Sequence, residues 1–197
     1  MVAALREEFV CGRLFPDQSL SILELSAHYR LSPTPVREAL GRLVGEGLVV
    51  VASGGGYACA PLDAAQLGQL RRLEHLVLGA LTPGRGAAVA LPARLRLRAV
   101  GRPADAADVH WLFGEAARAS GDVELEDVLR RIGGRLGVVR RVEAVGWDEL
   151  GALAAAFATD GPAWRAALDR ASRRRHGREA ETLDAVRRLE AKVSERH

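Results

Sequence analysis

Arg37 and Arg42 lie five residues apart in the segment Ser32-Pro33-Thr34-Pro35-Val36-Arg37-Glu38-Ala39-Leu40-Gly41-Arg42-Leu43. Its apolar members Val36, Ala39, Leu40 and Leu43 recur at helix spacing. The two guanidiniums therefore fall opposite the apolar stripe, with Glu38 and Gly41. A short helix that buries one side and presents arginines on the other fits the major groove of DNA, where a guanidinium can donate to a base edge or a phosphate. Ser32 or Thr34 can cap this helix, and Pro33 and Pro35 fall in its first turn, where a backbone N–H lacks an intrahelical partner in any case. Thr34 can also donate to a phosphate at the helix N-terminus.

The elements on either side are those needed to hold such a helix. Ser21 can cap a preceding helix that carries Ile22, Leu25, Ser26 and Tyr29 on one face, and Leu31 lies in a tight connection, so residues 22–45 read as helix–turn–helix. Gly47 stops the second helix. Leu48-Val49-Val50-Val51 and Tyr57-Ala58-Cys59-Ala60 flank Ser53-Gly54-Gly55-Gly56, which predicts a β-hairpin with a glycine-rich tip, the wing of a winged helix. Leu5, Phe9 and Val10 mark a first helix ending at Gly12-Arg13-Leu14.

Residues 5–63 resemble the N-terminal domain of GntR-family transcription regulators. The resemblance rests on an ordered series: Leu5-Arg6-Glu7, Gly12-Arg13-Leu14, Leu20-Ser21, Thr34-Pro35-Val36-Arg37-Glu38-Ala39-Leu40, Arg42-Leu43, Glu46-Gly47-Leu48 and Ala60-Pro61-Leu62-Asp63. It implies double-stranded DNA as partner. The expected contacts are Arg37 and Arg42 at base edges, Arg6 and Arg13 at phosphates, and Ser32, Thr34, Pro35 and the wing residues Gly55 and Gly56 against the backbone. Three positions depart from the family pattern: Pro33 and Gly41 stand where basic residues are usual, and the wing tip has no Arg or His. Over residues 1–61, Arg6, Arg13, Arg30, Arg37 and Arg42 face Glu7, Glu8, Asp17, Glu24, Glu38 and Glu46, so this domain is near neutral. Since DNA affinity grows with phosphates neutralised, one such domain should bind modestly and two together much better.

Composition sets the wider bounds. A chain of 197 residues, 48% hydrophobic and 27% charged with formal net charge +3, fits one or two globular domains and permits, without requiring, a nucleic-acid partner. Lys192 is the only lysine. No apolar run reaches the length of a membrane span and the N-terminus has no basic-then-apolar signal pattern, so a cytoplasmic protein without membrane partner is expected. Cys11 and Cys59 read as two free thiols on apolar faces, with a redox switch between them as the alternative.

Residues 63–197 predict an antiparallel all-α bundle, so the fold class is mostly α: a winged helix–turn–helix domain over 1–62, then a helical effector-binding and dimerisation domain over 63–197. Leu67, Leu70, Leu73, Glu74, Val77 and Leu81 form one helix stopped at Thr82-Pro83-Gly84, and a helix beginning near Pro103 carries Trp111 and Glu115. Leu125, Val128, Leu129, Ile132, Leu136 and Val139 make the clearest stripe. Trp147–Phe157, Trp164–Ala171 and Leu183–Val193 mark the last three helices, with Gly121-Asp122, Gly146 and Asp160-Gly161-Pro162 between helices. Arg94-Leu95-Arg96-Leu97-Arg98 fits a short helix opened by Pro92, or an edge strand, with its arginines as a solvated face. The stripes over 63–81 and 122–141 are the expected dimer surface.

This half resembles, more weakly, the all-helical domain of the fatty-acid-regulator branch of the same family, through Ala116-Ala117-Arg118-Ala119-Ser120-Gly121-Asp122 and Asp160-Gly161-Pro162-Ala163-Trp164. In many members of that branch an Asp and three His hold a divalent metal beside a carboxylate effector. Here those positions fall near Val109, Phe113, Leu150 and Ser172, and the effector-binding Arg falls near Glu74. The resemblance thus implies a bundle without metal or cofactor, and a small-molecule effector of unknown identity. Only Asp105, Asp108 and His110 could stand in for ligands, and His75, His110 and His176 read as surface or singly hydrogen-bonded histidines. No catalytic constellation or phosphate-cradling loop is found, so no enzyme is expected. The reading is a homodimeric, ligand-responsive repressor on a palindromic operator. A winged protein-interaction module that has lost DNA binding and a bundle recruited for catalysis are the alternatives.

Overall fold

The computed structural model describes residues 1–82, 90–143 and 145–195. Pro83 and Gly84, expected to end a helix, lie outside the described residues. In chain order the elements are α1 (Val2–Val10), β1 (Ser19–Leu20), α2 (Ile22–Tyr29), α3 (Pro33–Gly45), β2 (Val49–Val51), β3 (Tyr57–Cys59), α4 (Ala64–Ala80), α5 (Leu91–Ala99), α6 (Ala106–Ser120), α7 (Val123–Glu143), α8 (Trp147–Thr159), α9 (Gly161–Arg173) and α10 (Glu179–Ser194).

The N-terminal part is a winged helix. Ser21 caps α2 by accepting from the Glu24 amide, and Arg30 takes the left-handed conformation at φ 54° that lets the chain turn into α3. Pro33 opens α3, as its fixed φ favours, although Ser32 caps without a side-chain hydrogen bond. The wing is more than the expected hairpin: β1 adds antiparallel to β3, giving the order β1-β3-β2 with Leu20 opposite Tyr57 and Val49 opposite Cys59. Val36, Leu40 and Leu43 are fully buried against Leu5, Phe9, Leu20, Leu48 and Val49, at roughly 1.5–3 kcal/mol for each side chain removed from water.

The remaining helices bury Leu78, Leu95, Leu112, Phe113, Leu150, Phe157 and Trp164 in one core. Trp164 has no exposed surface, and its indole N–H donates to the Leu78 carbonyl at 2.6 Å. The helix expected near Pro103 starts at Ala106, because Asp105 and Asp108 close a reciprocal capping box there. Residues 91–99 are helix, as Pro92 suggests, but their arginines are not merely solvated. Arg98 and Arg102 hold the fully buried carboxylate of Asp108, and Arg94 and Arg118 hold buried Glu115. Burial pushes the Asp108 carboxyl up, but Arg102, the Asp105 amide and Arg98 together pull it below the ordinary aspartate range.

The two parts meet on α7. A third apolar cluster joins Phe15 and Leu62 from the winged part to Leu67, Ile132, Leu136, Val139, Leu183 and Val186. The α7 stripe read as a dimer surface is therefore buried within this chain, among α1, α4, α6 and α10. Gly133, Gly134 and Gly137 bring α7 close to its neighbours. A Cβ at Gly137 would fall inside the radius of the Phe9 carbonyl oxygen, one at Gly134 would strike Leu48, and one at Gly133 would strike the His110 ring. Gly12, at φ +66°, approaches Gly137 so closely that its own Cβ would lie 2.7 Å from the Gly137 carbonyl oxygen. Arg135 donates to the carbonyls of Gly47 (3.3 Å) and Pro61 (2.6 Å), and Arg141 to that of Gly12 (3.0 Å). His110, expected at the surface or with a single hydrogen bond, is half-buried with its ring against Gly133. Burial, with Arg140, Arg130 and Arg118 nearby, pushes its imidazolium down to about 4.

Two outcomes follow from this joint. Gly137→Ala should destabilise the protein by about 3 kcal/mol or more, since backbone cannot yield as a side-chain tip can. Gly151→Ala, in α8 with no atom near the added methyl, should be neutral or stabilising by up to about 1 kcal/mol. Urea denaturation compares them. Because His110 is neutral when folded and titrates near 6.5 when unfolded, its contribution is fully present above pH 6.5 and is lost as pH falls toward 4. Melting temperatures measured across that window should fall more steeply for the wild type than for His110→Gln.

Candidate nucleic-acid interface

α3 packs on α1, α2 and β2, and the helical part attaches through α1 and α7, which leaves the outer face of α3 open. Arg37, Glu38, Gly41 and Arg42 are all exposed on that face. Among the described residues neither Arg37 nor Arg42 has a carboxylate partner. Their guanidiniums project from a helix whose inner stripe is locked in the core, a geometry suited to reaching base edges.

The start of α3 is open as well. Pro33 and Pro35 carry no N–H, so the unpaired amides of the first turn are those of Ser32 and Thr34, both exposed. With the Thr34 hydroxyl they form a small donor group at the positive end of the helix. The wing tip stands clear: Gly55 and Gly56 adopt φ +85°, and no atom lies near the place of a side chain at Gly54, Gly55 or Gly56. Its backbone can approach a surface closely but brings no charge.

The structure brings Ser32, Thr34, Pro35, Arg37 and Arg42 together on one helix, and it holds Arg6 and Arg13 in ion pairs. Arg6 forks onto Glu46, its Nε 2.8 Å from Oε2, tying α1 to the end of α3. Arg13 forks onto Glu8 at 2.7 and 2.9 Å. The side-chain hydrogen bond with Glu46 holds the Arg6 guanidinium more firmly protonated than usual. Glu46 and Glu8 lie 40 and 5 positions from their arginines, and charge counting along the chain gives no sign of which pairs form.

Both thiols are free. Burial pushes Cys59 up to about 12, and burial with a hydrogen bond to Glu7 pushes Cys11 up to about 11, so neither is a ready nucleophile at neutral pH. In the helical part, Val109, Phe113 and Leu150 belong to the apolar core, and Glu74 is paired with buried Arg140, whose guanidinium also lies 5.5 Å from the Phe113 ring centre. Asp108 is fully engaged by arginines. Among the described residues no group of three or more His, Cys, Asp or Glu could hold a metal ion. Among the described residues no helix is long and apolar enough to cross a membrane.

Residues 1–58 match the family of bacterial regulatory proteins, gntR family. The HTH-type transcriptional repressor GlaR of Escherichia coli (strain K12) is 36% identical over 63 residues, which are 32% of this chain and 29% of that repressor. Over nearly the whole chain the fold is similar to E. coli McbR/YncC, with a TM-score of 0.73 at 20% identity, covering 92% of this chain and 96% of that one. It is also similar to a GntR transcriptional regulator from Rhodococcus sp. RHA1, with a TM-score of 0.66 at 19% identity, covering 93% and 96%. At these identities the two structures establish a shared fold, winged helix and helical domain together.

Arg6→Ala should lower stability by up to about 1 kcal/mol, since its pair is partly exposed and solvent weakens it. Arg37→Ala, which breaks no contact, should change it by less than about 0.5 kcal/mol. Chemical denaturation of the two variants distinguishes a structural arginine from one held free.

Proposed function

With residues 1–58 a winged helix–turn–helix domain of the GntR family, we propose that the chain is a DNA-binding transcription regulator, a ligand-responsive repressor that reads a palindromic operator as a homodimer. The observation that carries this is the pair of exposed, unengaged guanidiniums on α3, Arg37 and Arg42, beside the open helix start at Ser32 and Thr34. In this reading Arg37 and Arg42 meet base edges, Thr34 and the first-turn amides meet a phosphate, and Pro35 and the Gly55-Gly56 backbone pack against the sugar–phosphate strand. Arg6 and Arg13 contact phosphates only by sharing or releasing their carboxylates, so their share of the affinity is small. Repression is the activity that GlaR's name states, and it comes to this chain through the shared N-terminal stretch.

The dimer follows from electrostatics. One near-neutral domain neutralises too few phosphates for tight binding at physiological salt, and a second, rigidly linked copy raises avidity and imposes a two-fold operator. Leu73 and Leu76 are exposed on α4 and offer an apolar surface for it, where α7 does not. A domain boundary at 62/63 is supported by the capping box that Asp63 forms with Gln66 at the start of α4. In this reading a small-molecule effector binds within the helical domain, residues 63–197.

The test is a mobility-shift titration on the gene's own upstream DNA and on random DNA, with sedimentation on the same samples. The wild type should sediment as a dimer and prefer a short palindrome. Arg37→Ala or Arg42→Ala should each weaken that specific binding by about 1–3 kcal/mol. Unchanged affinity in the double variant overturns the assignment of the site. A monomer that binds neither DNA supports a protein-interaction module, the reading favoured by the neutral wing and the paired Arg6 and Arg13.

A further inference from the structure

We propose that Arg30, in the turn between α2 and α3, is a DNA-phosphate contact that supplies the cation missing at Pro33. This role rests on the DNA-binding reading above, which does not include Arg30. Among the described residues, Asp17 and Arg30 are the non-glycine residues with positive φ, at 62° and 54°. Aspartate tolerates that left-handed region because its short carboxylate can bond locally; arginine has no such compensation.

The strain has a local cause. Arg30 closes α2 in a Schellman-type ending: its amide donates to the Ala27 carbonyl at 3.3 Å, and the Leu31 amide to the Ser26 carbonyl at 3.0 Å. Those two bonds hold φ at 54°, a conformation that glycine adopts at no steric cost. A long cationic side chain is therefore kept where the backbone favours none. Such an outlier points to a use for the side chain.

Charge and position identify the use. Arg30 is exposed, and among the described residues no carboxylate pairs with it. Glu8, the acid whose field reaches the neighbouring Tyr29, is already held by Arg13 through two hydrogen bonds, and Glu24 stands in the first turn of α2, at its far end. Arg30 lies two residues before Ser32, so at most about 7 Å of chain separates it from the open helix start. In the proposed function the first-turn amides and the Thr34 hydroxyl meet a phosphate there. A guanidinium beside them reaches that phosphate or its neighbour on the same strand, as a charge-assisted donor. Pro33 pre-sets the first turn of α3 but brings no charge, and Arg30 returns the cation from the turn. The unengaged guanidiniums of this face are then Arg30, Arg37 and Arg42.

Fluorescence anisotropy on a random-sequence duplex and on the gene's own upstream DNA, between about 50 and 200 mM potassium chloride, tests the contact. Arg30→Gln should weaken binding to both DNAs by the same factor, several-fold at the lower salt. It should also make the slope of log affinity against log salt shallower by about one for each protein copy bound. Arg30→Lys should retain most of both. Arg30→Gly should bind as weakly as Arg30→Gln yet melt at the wild-type temperature or above, since glycine relieves the left-handed strain. Wild-type affinity and salt slope in Arg30→Gln overturn the contact, as does an equal loss in Arg30→Lys. A loss confined to the upstream DNA overturns the phosphate assignment. If Arg37→Ala loses specific binding while Arg30→Gln does not, this contact fails and the DNA-binding reading stands; a wild type that binds neither DNA overturns both.

Discussion

The contact on which the structure depends is the near-touching of two backbones, α7 at Gly137 and the end of α1 at Phe9 and Gly12. No side chain fits between them. That proximity lets Arg135 and Arg141 reach carbonyls of Gly47, Pro61 and Gly12, and lets Leu48 rest on Gly134. Helices that approach through glycine are fixed against each other by shape, because packed backbone has no rotamers with which to adjust. The winged part is thus mounted on α7 and not tethered loosely to it, and α3 inherits its orientation from that mounting through α1.

The second constraint is electrostatic. Of the 28 basic residues, nearly all are arginine, yet the exposed face of α3 carries few. Arginines in the helical part neutralise buried and half-buried carboxylates: buried Asp108 by Arg98 and Arg102, buried Glu115 by Arg94 and Arg118, and half-buried Glu143 and Glu179 by Arg71. Such pairs gain little net stability over an apolar core, but removing one partner strands a charge, so they specify which helix faces which. A basic overall charge is therefore poor evidence of a basic binding surface. Under the proposed function, affinity for DNA would come from the number of domains engaged and discrimination from a few unpaired guanidiniums.

The same reasoning accounts for the interior of the bundle. Val109, Phe113 and Leu150 pack as an ordinary apolar core, and Trp164 fills the centre with its N–H satisfied by the Leu78 carbonyl. Glu74, near which the resembling proteins' effector arginine would fall, instead faces Arg140.

The sequence by itself determined whatever is decided within a turn or two of chain. The 3.6-residue recurrence of Val36, Ala39, Leu40 and Leu43, with Pro33 at the first helical position, defines α3 and its outward arginines, since periodicity and missing amides act locally. The same holds for the Ser21 cap, the glycine tip of the wing and the run of Leu129, Ile132, Leu136 and Val139. Only the tertiary structure decided what each face meets. A two-residue strand such as β1 has no local signal and exists because β3 offers it a partner. The α7 stripe looked the same from sequence whether it met another chain or this one. Gly133, Gly134 and Gly137 became intelligible once α1, Leu48 and His110 were seen against them. Arg6 was found bound to Glu46, 40 residues away, while Arg37 was found free. Close approach and charge pairing depend on distances in space between residues remote in sequence, and no local pattern encodes those distances.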